Sequence, residues 1–172
     1  MLQSLRRAIL VGVDGSASAQ EAVRWAARDA ALRNVPLTLV HFVDPPVPGW
    51  WSQVSAAPGR QWQEKRARDV IETAIKVAHE STGEHGRVHI ESKVFYSATV
   101  ATLVDLSNEA EMVVVGYRGR GGVVARNFLG SVSSGLVYHA HCPVAVIHPA
   151  EPLVTDVARA PVLVGVDGSP AS

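Results

Sequence analysis

Apolar residues recur along this chain in two rhythms, short unbroken runs and longer stretches with helical spacing. "AILVGV" (Ala8–Val13) is an apolar run that stops at Asp14-Gly15-Ser16, the pattern of a buried strand entering a turn. In the "SAQEAVRWAARDAALRN" that follows, Ala22, Ala26 and Ala30 beside Val23, Ala27 and Ala31 form one helical face. Alanines that small let a helix lie close on a sheet. Ser18, with Glu21 three residues later, predicts a capping box at the helix start. "PLTLVHFV" (Pro36–Val43) predicts a second strand. The proline-rich residues Asp44–Arg60 predict a long loop, and loops of that length are commonly functional. Trp50 and Trp51 within it read first as packing groups, and otherwise as a cover over a ligand.

A second helix is expected over Gln61–Ser81, with Ala67, Val70, Ile71, Ala74, Ile75 and Ala78 facing inward. Glu64 and Arg68 fall at i,i+4 on its solvent side. "RVHIESKVF" (Arg87–Phe95) alternates, as a strand with one more exposed face does. A third helix (Ser97–Ala110) leads to the strongly apolar strand Glu111–Gly116. After a glycine-rich loop come a fourth helix (Ser131–His141) and a last strand, Pro143–His148.

Strands that alternate with helices imply parallel pairing through right-handed crossovers, hence an α/β, doubly wound, Rossmann-like sheet. Five strands wound this way predict the order 3-2-1-4-5 with four flanking helices. Ligands in such sheets sit beyond the carboxyl ends of the strands, where the strand order reverses. That point brings Asp14, at the end of the first strand, beside Gly116, at the end of the fourth.

Composition narrows the function classes. Hydrophobic residues make up 47% of the chain and charged residues 19%, enough for an ordinary core. Sixteen basic residues balance sixteen acidic ones, so no global field favours nucleic acid or an anionic membrane. No apolar run reaches the length of a membrane helix, and the one after Arg7 is too short for a secretory signal. A single cysteine, Cys142, forms no internal disulfide and fits a cytoplasmic protein.

The chemistry concentrates in Gly116–Ser134, "GYRGRGGVVARNFLGSVSS". Gly116, Gly119, Gly121, Gly122 and Gly130 leave room for a ligand against the backbone. Gly130-Ser131 then opens a helix whose free N–H groups and positive dipole end suit a phosphate. Ser131 and Ser133 add hydroxyls, and Arg118, Arg120 and Arg126 add positive charge. The spacing is neither that of a P-loop, with no Gly-Lys-Ser/Thr, nor that of a dinucleotide fingerprint. "HAHC" (His139–Cys142) reads as a helix terminus before a strand, since His139 and Cys142 share a helical face and His141 does not. His41 reads as a satisfied sheet histidine. No triad or carboxylate pair follows from spacing, and the glycine-rich loop contains no general base for rapid phosphoryl transfer.

"LVGVDGS" before an alanine-rich helix, "VVVGYRG" and "LGSVSSGLVYHAHCPVAVIH" together resemble a universal stress protein of the nucleotide-binding type, over residues 8–148. The family pattern is Gly-x2-Gly-x9-Gly-Ser/Thr; here ten residues, not nine, separate Gly119 from Gly130-Ser131. The resemblance implies ATP, with Mg²⁺. Val13 and Asp14 would border the adenosine, the Asp14 carboxylate accepting a hydrogen bond or helping to hold the metal. The backbone of Phe42 would read the adenine edge. Gly116 and Gly119 would pass beneath ribose and phosphates, and Gly130, Ser131, Val132 and Ser133 would hold the phosphates. The function implied is regulatory or signalling, in a bacterial stress response. The alternatives are a slow ATPase or nucleotidyl-transfer enzyme on the same fold, and a non-nucleotide interaction domain. The family also pairs apolar last strands, between subunits of a homodimer or between two domains of one chain.

One repeat completes the reading. Leu10–Ser16 and Leu163–Ser169 are the same seven residues, Leu-Val-Gly-Val-Asp-Gly-Ser. The expected organisation is a nucleotide-binding domain over residues 1–149, a linker over 150–160, and the truncated first strand of a second such domain over 161–172.

Overall fold

The computed structural model describes residues 8–43, 56–82, 88–119, 129–148 and 164–166, and the side chains of all of these except 56–60. Five strands, β1 (Ile9–Gly12), β2 (Leu37–Phe42), β3 (Ile90–Phe95), β4 (Met112–Gly116) and β5 (Val144–Ile147), form one parallel sheet in the order β3-β2-β1-β4-β5. The helices are α1 (Ala17–Arg33), α2 (Ala56–Thr82), α3 (Thr99–Ser107) and α4 (Ser131–His139). The fold class and strand order are those that the alternation of apolar patterns predicts.

Successive strand residues face opposite sides of the sheet, so β1 feeds two cores. Ile9 and Val11 join Leu37, Leu39 and Val114 under α1 and α2. Leu10 joins Val40, Val113 and Val115 under Leu103 and Leu106 of α3 and Leu136 of α4. α1 seats on the sheet through Ala22, Ala26, Ala27 and Ala30, each fully buried. α2 buries Ala67, Val70, Ile71, Ala74 and Ala78 as its pattern predicts, together with Val77; Ile75 is half-buried. β3 is an edge strand with alternating exposure.

The start of α1 corrects the predicted capping box. Ser16, in extended geometry, is the cap, its Oγ accepting the Ala19 N–H at 3.1 Å. Ser18 lies inside the helix and is buried, and Glu21 pairs with Arg24 at 3.0 Å instead. A buried side chain facing the sheet cannot also reach back to cap, so the cap falls to the serine two residues earlier. α2 begins five residues sooner than its apolar pattern suggests, because Pro58 and Gly59 in that stretch read as loop punctuation. β3 begins at Ile90 rather than Arg87. Trp50 and Trp51 lie outside the described residues, as do Arg120, Gly121, Gly122, Arg126 and the expected linker.

Candidate functional site

A cleft of about 730 Å³ opens at the carboxyl ends of the strands, within the size range of small-molecule sites. The reversal of strand order creates it. β1 and β4 are adjacent, with Val11 opposite Val114, but their chains leave towards opposite halves of the sheet and opposite faces. Such a reversal of winding leaves a crevice at the strand ends.

All nine residues that the family resemblance implies for the ligand line this cleft: Val13, Asp14, Phe42, Gly116, Gly119, Gly130, Ser131, Val132 and Ser133. They come from the ends of β1, β2 and β4 and the start of α4. Asp14 holds the β1–α1 turn, its Oδ1 accepting the Ser16 N–H at 2.9 Å. Gly15 beside it has φ 82°, a left-handed conformation that favours glycine. The other carboxylate oxygen of Asp14 lies against Gly119: a Cβ at that glycine would come within 2.7 Å of Oδ2. The β1 and β4 loops thus meet at Asp14 and Gly119.

The backbone of Phe42 faces the cleft for a reason set by the ladder. Val40 O accepts the Val13 N–H, so Val40 turns its polar groups towards β1, and Val43 N–H donates to Phe95 O, towards β3. Alternation then turns Phe42 towards β1, which has already ended at Gly12. The carbonyl of Val13 is engaged by His41, whose Nδ1 donates to it at 2.7 Å from a buried position. The ring is a satisfied sheet histidine, as its sequence setting suggests, and it also forms part of the cleft wall.

At the opposite wall, α4 begins with Gly130 as its cap residue, in extended geometry, and among the described residues no side chain caps the helix. The first N–H groups of a helix have no intrahelical acceptor, and here they open on the cleft. Gly130 N–H donates to Tyr117 O at 2.9 Å, tying α4 to the end of β4. The expected hydroxyl role of Ser133 needs correction. Its side chain is buried and its Oγ donates within the protein, to Gly130 O (3.0 Å) and Tyr117 O (3.3 Å). Ser131 is exposed at the helix start, and Arg118 brings positive charge, its guanidinium 5.2 Å from the Tyr117 ring centre.

Sequence reading missed the contribution of α2 and α3. Trp62, Gln63 and Arg66 from α2, and Thr99 and Leu103 from α3, also line the cleft. The available signal was a tryptophan and an arginine four residues apart on the polar side of a helix that follows a long loop. "HAHC" falls at a helix end: α4 closes at His139, and His141 N–H donates to the buried Ser107 Oγ at 2.8 Å. Burial raises the pKa of the half-buried Cys142 thiol, opposed by a hydrogen bond with the Val113 backbone.

A parallel five-stranded sheet with a cleft at its switch point, walled by a glycine turn and a helix start, defines a doubly wound α/β protein. The sequence pattern of the universal stress protein family matches residues 6–148, and the chain belongs to that family. A universal stress protein of Mycobacterium tuberculosis is 50% identical over 165 residues, covering 95% of this chain and 55% of that protein. The chain thus spans about half the length of the curated relatives it matches. Among solved structures, a universal stress protein of Lactobacillus plantarum superposes with a TM-score of 0.69 at 24% identity, over 82% of this chain and 97% of that one. A universal stress protein solved in complex with cAMP superposes with a TM-score of 0.55 at 27% identity, over 83% of this chain and 96% of that one. Among the described residues no helix is long and apolar enough to cross a membrane.

Proposed function

We propose that this chain binds ATP in the switch-point cleft and acts as a nucleotide-dependent regulatory domain. The observation that carries the reading is the convergence of a helix start with a glycine cap residue, a glycine turn and one carboxylate on a single cleft. The cAMP complex of a relative supports an adenine nucleotide as the ligand class. The backbone of Phe42 would meet the base edge, Val13 and Asp14 the adenosine, and Gly116 and Gly119 would run beneath the ribose and phosphates. The N–H groups of Ser131, Val132 and Ser133, with the Ser131 hydroxyl, would hold the phosphates. The donor set also fits Mg²⁺, which is commonly held by one or two carboxylates together with substrate phosphates. Asp14 would be the carboxylate, through the oxygen that is not bound to Ser16.

Calorimetry with ATP and Mg²⁺ tests this. Saturable binding is expected, with intact ATP recovered after hours of incubation. No binding at millimolar ATP would overturn the reading, and rapid release of ADP would make the domain an ATPase.

The repeated Leu-Val-Gly-Val-Asp-Gly-Ser and the doubled length of the relatives further support a tandem organisation. In it, this domain would pair with a second through β5, at the sheet edge. Sedimentation of the full-length protein and of this domain alone tests the pairing: an intrachain pair leaves the former monomeric, whereas the domain alone dimerises.

A further inference from the structure

The first turns of α2 bring to the cleft a pair of side chains that phosphate binding does not explain. Trp62 and Arg66 stand four residues apart and share one side of the helix. The guanidinium carbon of Arg66 lies 5.2 Å from the centre of the Trp62 ring. Both residues line the cleft, yet Trp62 is 60% exposed. The apolar core does not account for it, since α2 buries the face that carries Ala67, Val70, Ile71 and Ala74. A guanidinium on one face of an indole favours a fixed tilt of the ring and leaves the opposite face for another flat group.

Topology decides which end of a ligand that ring would meet. α2 packs on α1 and over β2, on one side of the switch point. Arg118 follows β4, and Gly130 and Ser131 open α4, on the other side. The donors suited to anionic groups and the exposed indole therefore stand at opposite walls of one cleft, the indole on the side of Phe42 and Val43. Resting on the nucleotide reading above, we propose that Trp62 stacks on the base of the bound nucleotide. Arg66 is then a positioning residue that sets the tilt of the indole.

The test is calorimetric titration of the unaltered chain and of Trp62→Ala, Trp62→Leu and Arg66→Met with AMP and with ATP. Loss of a base–aromatic stack costs roughly ten- to a hundredfold in affinity. Trp62→Ala should show that loss, by the same factor for both ligands, because both carry the same base. Trp62→Leu keeps apolar bulk without a π-face and should fall nearly as far even if Trp62→Ala proves less stable. Arg66→Met should lower both affinities by a smaller common factor. Unchanged affinity in both Trp62 variants, with the unaltered chain binding ATP, overturns the stack and leaves the nucleotide reading intact. A loss much larger for ATP than for AMP also overturns it, by placing α2 at the phosphates. No nucleotide binding by the unaltered chain overturns both readings together.

Discussion

At the scale of single residues, the cleft separates positions that look alike in sequence. Gly116 and Gly119 belong to one motif, but different neighbours demand them. A Cβ on Gly116 would stand 2.7 Å from the backbone carbon and the Cβ of Ser18, so α1 can seat on the end of β4 only if that position is glycine. Gly116→Ala is expected to cost about 1–3 kcal/mol through overpacking, read as a lower melting temperature in the absence of any ligand. An unchanged melting curve would refute the steric role. Asp14 holds the turn through Oδ1, and Asp14→Asn separates that task from the proposed one at the metal. The amide oxygen still accepts the Ser16 N–H while the negative charge is gone. The expected outcome is an unchanged melting temperature with the Mg²⁺ dependence of ATP affinity abolished. Retained Mg²⁺ dependence would restrict Asp14 to the turn.

At the scale of elements, strands and helices were legible wherever one face is buried. The alanine face of α1 and the apolar runs of β1 and β4 carry their periods because each packs on a core. Element ends were less legible, since they depend on partners elsewhere in the chain. Ser16 and Ser18 are both capable caps by residue type; the approach of Ser18 to Gly116 decides between them. Ser16→Ala is expected to cost about 1 kcal/mol, and Ser18→Ala should lack the cap penalty. Chemical denaturation of the two variants measures the difference, and equal cap-like losses would refute the assignment. The start of α2 was illegible for another reason, because Pro58 and Gly59 within it read as loop punctuation. In sequence Trp62 belongs only to a helix; its place on the cleft wall shows in the fold.

At the scale of the whole molecule, the nine cleft-lining residues meet because one sheet reverses its winding between β1 and β4. The second copy of the β1 motif is described only in part. Of its residues, Val164, Gly165 and Val166 are described: all three are exposed, lie outside the sheet, and nothing stands within 4 Å of a Cβ on Gly165. Removing residues 161–172 should therefore leave ATP affinity and melting temperature unchanged. A loss of affinity on truncation would tie the repeated motif to the cleft.

The alternation of buried runs with amphipathic stretches, written in local residue order, determined the α/β class, the strand order and the two loops that face each other. Local order suffices there because burying an apolar face follows from its period alone. Only the tertiary structure decided what the side chains do once gathered. It gave the hydroxyl of Ser133 to internal carbonyls, the ring of His41 to Val13 and the cap to Ser16, and it brought Trp62 and Arg66 to the cleft wall. Each of these depends on which distant atom arrives within about 3–5 Å, at the reach of a hydrogen bond or a ring contact. A one-dimensional pattern does not encode such distances.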